Sequence, residues 1–309
     1  MPTSSNLVNG QDFFLPLLNR KWLLLLEPDA ISGYRIRPNI QLAAEELGFS
    51  FNSNSLGLRG PDNVNADNVL LGTSFAMGFA VNEGQDWWAS VLNGNWLNIS
   101  LAVGVNRLRS LYDAFYVGAK RCAVVIYHPN FWPYARQYED QETSNKSPHD
   151  FFGWQTDERF CAAMQVKILG TREIKAQSEA AVTFKRDGVE HYIESVIYQF
   201  DFVEQAELVK RSFAHWNHIL SGFDRVHIIR TRMKQELCPS EYKNSTLEAT
   251  CHGFDEGWRV FCEGVKEHPD LSIHECSSIK YDHFYPSEGH WTAEGNATFA
   301  KWFSTLNIN

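Results

Sequence analysis

Short apolar segments alternate with helical patterns over most of the chain after residue 66, and this alternation constrains the possible fold more than any other feature. The predicted strands are residues 69–71, 96–101, 123–127, 226–229 and 271–274. The predicted helices are residues 85–92, 108–117, 202–220, 256–266 and 293–303. Consecutive parallel strands need a helix that crosses back over the sheet. The alternation therefore predicts an α/β fold with a mostly parallel sheet.

Two parts of the chain depart from this alternation. Residues 1–66 mix apolar and turn-rich stretches, which predicts an N-terminal extension packed on the core. Residues 67–309 then form the α/β domain, interrupted at about 133–200 by a predicted cap. Within that cap, Asp187 and Gly188 separate two strand-like runs and predict a β-hairpin.

The overall composition limits the partners of the protein. A net charge of −9 and the lack of a Lys/Arg cluster disfavour nucleic acid, which is bound through clustered basic residues. The first residues lack a secretory pattern, and the longest apolar run, residues 122–127, is too short to span a membrane. We therefore expect a cytoplasmic protein without a membrane span, and we expect its six scattered cysteines to be reduced thiols. Nothing in the sequence indicates the oligomeric state.

The sharpest local motif is an apolar strand that leads directly into Gly72, Thr73 and Ser74. Such a turn exposes the serine hydroxyl at the carboxyl end of a strand, where open α/β sheets bind their ligands. It also directs the backbone N–H of Ser74 toward a reacting carbonyl oxygen. The same motif also occurs as a purely structural turn, so it becomes informative only with a second residue.

That second residue is His290, which lies just before the C-terminal helix. Thr292 is the predicted N-cap of this helix, and Glu294 lies in its first turn. A neutral imidazole can remove the proton that makes a serine hydroxyl a poor nucleophile. A histidine that is merely exposed or packed in the core remains the alternative, because the chain has eleven.

The serine and histidine motifs together resemble the SGNH (GDSL-like) hydrolase family over roughly residues 66–130 and 200–306. The resemblance implies a flavodoxin-like three-layer α/β sandwich in which Ser74 is the nucleophile and His290 its base. It also implies an oxyanion hole formed by the N–H groups of Ser74 and Gly104 and the side-chain amide of Asn130. The sequence has Thr73 where the family usually has aspartate, and it lacks the glycine and aspartate that usually surround Asn130.

The acid that should orient the imidazole is left open by the resemblance. The family places it three or two residues before the histidine, and those positions hold Ser287 and Glu288. We favour Glu288, with Asp282 in reserve. A Ser-His dyad, whose imidazole is held by a backbone carbonyl, is the third possibility.

Aromatic residues follow directly after Asn130, where the mouth of the site is expected. Phe131, Trp132 and Tyr134 are therefore candidate substrate-binding residues for a sugar ring or an acyl chain, and a packed loop is the alternative. We expect no cofactor and no metal. His215 and His218 have a spacing that can bind a metal, but no matching carboxylate or cysteine pair lies nearby in the sequence.

Three functions follow from the resemblance. The first is a serine esterase that cleaves short-chain O-acyl esters, possibly on a carbohydrate. The second is an O-acyltransferase that uses the same site with an acceptor alcohol in place of water. The third is a catalytically weak binding protein on the same scaffold, suggested by Thr73 and by the missing acid at position 287.

Overall fold

The computed structural model describes residues 26–29, 33–44, 48–63, 65–92, 95–100, 112–113, 120–129, 182–193, 202–286 and 289–308. Its strands are β1 Leu26–Asp29, β2 Gly33–Ile36, β3 Gln41–Leu42, β4 Phe51–Asn52, β5 Asn68–Leu71, β6 Trp96–Asn98, β7 Lys120–Tyr127, β8 Val182–Arg186, β9 Val189–Ile193, β10 Phe223–Thr231 and β11 Leu271–Cys276. Its α-helices are α1 Ser74–Met77, α2 Phe202–Leu220, α3 Lys234–Leu237, α4 Ser245–Val265 and α5 Ala293–Phe303.

Five of these strands form one parallel sheet in the order β11-β10-β7-β5-β6. Numbered along the chain, this spatial order is 2-1-3-4-5. From β5 the chain first adds β6 on one side, and it then adds β7, β10 and β11 on the other side. The strand order therefore reverses at the neighbouring strands β5 and β7. Because all five strands are parallel, their carboxyl ends lie along one edge of the sheet.

Helices cover both faces of this sheet, as the alternation of side chains along its strands requires. In β5, Val69 and Leu71 face a core completed by α2 and α4, whereas Leu70 faces a second core completed by α5. Trp216 of α2 and Phe299 of α5 are fully buried in these two cores. The predicted α/β fold with a parallel sheet is thus confirmed.

The N-terminal part of the chain packs against the sheet domain. Antiparallel pairs β1–β2 and β3–β4 form two small ribbons. Phe49 and Phe51 are buried, and the ring of Phe49 packs 4.9 Å from that of Phe79 in the main domain. Arg59 is also buried, and its contacts lie close to the candidate site.

The predicted hairpin is present as β8 and β9, which pair in antiparallel register. Asp187 and Gly188 have positive φ angles of 52° and 80°, as a two-residue hairpin turn requires. The hairpin packs on the domain through Phe184, whose ring stacks 3.8 Å from that of Tyr242. We call β8–β9 the cap hairpin, since the remainder of the predicted cap lies outside the described residues.

Two predicted helices differ from the structure. Residues 85–92 contain only a 3-10 turn, Trp87–Ser90, because both indole N–H groups of Trp87 and Trp88 donate back to carbonyls of α1. Helix α4 begins eleven residues earlier than predicted, where the side chain of Asn244 accepts the N–H of Leu247 as an N-cap. Of the helix predicted at 108–117, only residues 112–113 are described. No helix in the described ranges has the length and apolarity that crossing a membrane would require.

Candidate active site

Ser74 is the first residue of α1, and two residues separate it from the end of β5. Gly72 makes this tight turn possible, because a Cβ there would lie 2.4 Å from the Cβ of Ala76. The first N–H groups of a helix have no acceptor within the helix. Ser74 therefore presents both its hydroxyl and its backbone N–H at the carboxyl edge of the sheet, beside the point where the strand order reverses.

Helix α1 has only four residues, and its carbonyls are held by buried side chains from three other segments. The carbonyls of residues 75, 76, 77 and 78 accept hydrogen bonds from Trp87 Nε1, Asn98 Nδ2, Trp88 Nε1 and Arg59 Nη1, respectively. The distances for Trp87, Asn98 and Trp88 are 3.0, 3.2 and 3.3 Å. The last carbonyls of a helix otherwise lack partners, so these four side chains satisfy them and fix the position of Ser74.

Arg59 is the charged member of this group. Its guanidinium also donates to the carbonyl of Val81 at 3.0 Å and lies 3.4 Å from the carboxylate of Asp86. Both side chains are fully buried. Burial lowers the pKa of Arg59 and raises the pKa of Asp86, and in each case the charge of the partner opposes that shift. The buried ion pair of Arg59 with Asp86 thus joins the N-terminal extension to the segment that follows α1.

His290 lies on the segment 285–290, which we call the histidine loop and of which the structure describes residues 285, 286, 289 and 290. Phe284 and Trp291 form an antiparallel bridge, and the N–H of Tyr285 donates to the carbonyl of His290 at 3.1 Å. Directly after the loop, Thr292 caps α5 by accepting the N–H of Gly295, as predicted. The loop therefore projects His290 from a base fixed by both the helix and the bridge.

The structure brings the two predicted residues together. His290 Nε2 lies 2.8 Å from Ser74 Oγ, although the residues are 216 positions apart in sequence. The imidazole ring packs between the rings of Phe75 and Phe79, with centroid distances of 5.4 and 4.9 Å. At this distance an imidazole nitrogen can take the proton of a hydroxyl directly.

A second histidine, His128, follows β7 at the same edge of the sheet. Its ring lies 5.0 Å from that of Phe75, on which His290 also packs. Burial and, to a smaller extent, the charge of His290 lower the pKa of His128 to about 3. His128 is therefore neutral at physiological pH and adds no positive charge beside the Ser74–His290 pair.

The remaining predicted residues fall into two groups. The following lie outside the described residues: Glu288, Gly104, Asn130, Phe131, Trp132 and Tyr134. Asp282 is described, and the structure does not bring it to His290. Its two carboxylate oxygens accept hydrogen bonds of 2.6 and 3.3 Å from Arg186 of the cap hairpin.

Other candidate chemistry is separate from this site. His218 Nε2 lies 2.8 Å from the carboxylate of Asp113, and no group of three or more possible metal ligands occurs in the described ranges. The described cysteines are free thiols, and burial raises the pKa of Cys251 to about 11. A thiol with so high a pKa is a poor nucleophile at neutral pH.

Sequence reasoning missed four residues that support the site: Arg59, Trp87, Trp88 and Asn98. Their types gave a partial signal, because a buried Trp or Asn needs a hydrogen-bond partner and a buried Arg needs several. The partners, however, are backbone carbonyls of a short helix, and no sequence pattern identifies those.

Comparisons of the chain with protein-family models, curated proteins and solved structures find no match.

Proposed function

We propose that this protein is a serine esterase of the SGNH type that cleaves short-chain O-acyl esters through an acyl-enzyme. The observation that carries the proposal is the 2.8 Å contact between His290 Nε2 and Ser74 Oγ at the carboxyl edge of a parallel sheet. The 2-1-3-4-5 strand order supports it, because this is the order of flavodoxin-like sheets, which bind ligands at the reversal point between their first and third strands. In this chain those strands are β5 and β7.

The reaction proceeds in two steps. His290 Nε2 takes the hydroxyl proton of Ser74 as Oγ bonds to the ester carbonyl carbon, which gives a tetrahedral oxyanion. The imidazolium then returns the proton to the leaving alcohol as its C–O bond breaks. Water, deprotonated by His290, attacks the acyl-serine next and releases the free acid and the original hydroxyl.

The oxyanion needs hydrogen-bond donors placed where negative charge develops. The N–H of Ser74, at the start of α1, is the first, and Gly104 and Asn130 are the proposed second and third. Each donor in such a site typically contributes about 3 kcal/mol to transition-state stabilisation. We therefore expect Asn130→Ala to lower kcat about a hundredfold, as measured with a chromogenic ester.

Glu288 is the proposed acid partner of the imidazole. It lies two residues before His290 in the sequence, whereas the carboxylate of Asp282 is already bound by Arg186. A carboxylate in this role fixes the tautomer that leaves Nε2 free to accept a proton, and it stabilises the imidazolium.

Release of free acid from p-nitrophenyl acetate and from acetylated sugars tests the function, with Ser74→Ala as the control. We expect the wild type to release acid and the variant to release none above background. Acyl transfer to an added alcohol in preference to water would identify a transferase with the same nucleophile. Equal rates for the wild type and Ser74→Ala would refute the proposal.

A further inference from the structure

Lys234 is a buried lysine that contacts the loop carrying His290. It is 1% exposed and is the first residue of α3, just beyond the end of β10. Its Nζ donates to the backbone carbonyls of Tyr285 and Pro286 at 2.7 and 2.8 Å. Tyr285 and Pro286 precede His290 on its loop, and the N–H of Tyr285 donates to the carbonyl of His290.

The helix that carries Lys234 is itself fixed to the central sheet. Glu236 accepts the N–H of Met233 at 2.7 Å, which caps α3. The same carboxylate accepts a 2.7 Å hydrogen bond from Arg230, a buried residue of β10 that also bonds Asp255. Lys234 thus links the segment after β10 to the loop that carries His290, which Tyr285 Oη also ties to the carbonyl of Ala80 at 2.9 Å.

A buried amine is costly to retain unless it makes hydrogen bonds that an apolar side chain cannot make. Methionine would fill much the same space, but it would leave both carbonyls without this donor. The positive charge of Lys234 is also felt at His191 of the cap hairpin, whose pKa is lowered first by burial and then by this charge.

We propose that Lys234 is the positioning residue for His290: by holding the carbonyls of Tyr285 and Pro286, it keeps Nε2 at bonding distance from Ser74 Oγ. This inference rests on the proposed esterase function. It assigns no chemical step to Lys234, which does not contact the reacting atoms. A displacement of about 1 Å in a catalytic group can cost about a hundredfold in rate.

Lys234→Met is the test, and Lys243→Met is its matched control. Lys243 also donates to a backbone carbonyl of α3, that of Glu236, at 3.0 Å, but it makes no hydrogen bond to the described residues of the histidine loop. We expect Lys234→Met to lower kcat between about tenfold and a hundredfold with KM changed less than about threefold. We expect Lys243→Met to keep kcat within about twofold. Lys234→Arg, which keeps a cation but moves its donors, should give an intermediate kcat and serves as the test if the Met variant does not fold.

Amide hydrogen exchange supplies a second readout that is independent of activity. In folded Lys234→Met, the amide of Tyr285, which donates across the loop, should exchange at least about tenfold faster than in the wild type and in Lys243→Met. If the wild type proves inactive, the proposed function fails, but this exchange experiment still tests whether Lys234 holds the loop that carries His290. Unchanged exchange, or faster exchange with unchanged kcat, would overturn the inference.

Discussion

Replacing Arg59 with methionine tests how the structure fixes the helix that bears Ser74. The change removes the buried ion pair with Asp86 and the hydrogen bonds to the carbonyls of Gly78 and Val81. Loss of one partner from a buried ion pair typically costs about 3–5 kcal/mol, because the other charge remains buried without compensation. We therefore expect Arg59→Met to lower the free energy of unfolding by about 4 kcal/mol at pH 7.

The double variant Arg59→Met, Asp86→Asn separates the two parts of this loss. Asparagine keeps the shape of Asp86 without its charge. The remaining loss is then that of the two hydrogen bonds, at about 1 kcal/mol each, and of the partly exposed ion pair with Glu83 at 3.6 Å, which contributes less than about 1 kcal/mol. We expect the double variant to be about 2 kcal/mol more stable than Arg59→Met, since it restores the charge part of the loss. Arg121→Met is the control. Arg121 is 73% exposed and lies 3.7 Å from Asp67, and such surface pairs contribute less than about 1 kcal/mol.

Urea unfolding at pH 7 and at pH 5, followed by tryptophan fluorescence, measures these differences. Burial raises the pKa of Asp86 in the folded state, and removing the opposing charge of Arg59 raises it further. A carboxyl whose folded-state pKa is raised destabilises the fold above that pKa and ceases to do so as the pH falls and it binds a proton. The deficit of Arg59→Met should therefore be smaller at pH 5 than at pH 7. An Arg59→Met variant within about 1 kcal/mol of the wild type at pH 7 would refute the reasoning.

Three further predictions concern the site. Glu288→Gln should lower kcat by up to about 10⁴-fold because the imidazole would lose its proposed anionic partner, whereas Asp282→Asn should keep ester hydrolysis within about twofold; the reverse ranking would exchange their proposed roles. Asn98→Ala should lower the free energy of unfolding by about 1–3 kcal/mol in urea, because the buried carbonyl of Ala76 loses its donor, and a neutral substitution would contradict this. His128 has a pKa lowered to about 3, so the wild type should lose stability as the pH falls below 6.5, by up to about 1.4 kcal/mol per unit. Urea titrations of His128→Gln at several pH values should show a shallower fall, and an equal slope would remove His128 as its cause.

The sequence predicted the central elements of the fold because their signals are local. The apolar runs that became β5, β7, β10 and β11 alternate with helical patterns. The cores of β5, β7 and β10 are buried, whereas the edge strand β11 leaves Ile273 42% exposed. Helix α5 has the predicted bounds, since Thr292 supplies an N-cap that is visible in sequence. The cap hairpin was likewise marked by Asp187 and Gly188, which tolerate positive φ.

The structure differs from local sequence preference where long-range contacts override it. Residues 85–92 have a helical pattern, but Trp87 and Trp88 are held by carbonyls of α1, and only a 3-10 turn forms. Asp282 lies near His290 in sequence, yet its carboxylate is bound by Arg186, which is 96 residues away. Neither partner can be found from the neighbouring sequence.

The sequence indicated the two candidate residues, Ser74 and His290, but not the side chains that hold them in place. Ser74 and His290 follow recognisable motifs, and the fold brings them to 2.8 Å. Arg59 donates to the backbone carbonyl of Gly78, directly after α1, and Lys234 donates to two backbone carbonyls of the histidine loop. Carbonyl acceptors are present at every residue, so their use depends on tertiary geometry alone.

Covalent labelling of Ser74 by a fluorophosphonate tests the central claim most directly, because the reaction requires an activated serine hydroxyl. Intact mass and peptide mapping should show one label per folded chain, located on Ser74, and none on Ser74→Ala. His290→Gln should slow labelling about a hundredfold or more, since the hydroxyl then lacks its base. A folded wild type that does not react, or a Ser74→Ala variant that reacts equally well, would contradict the assignment of Ser74 as nucleophile and His290 as its base.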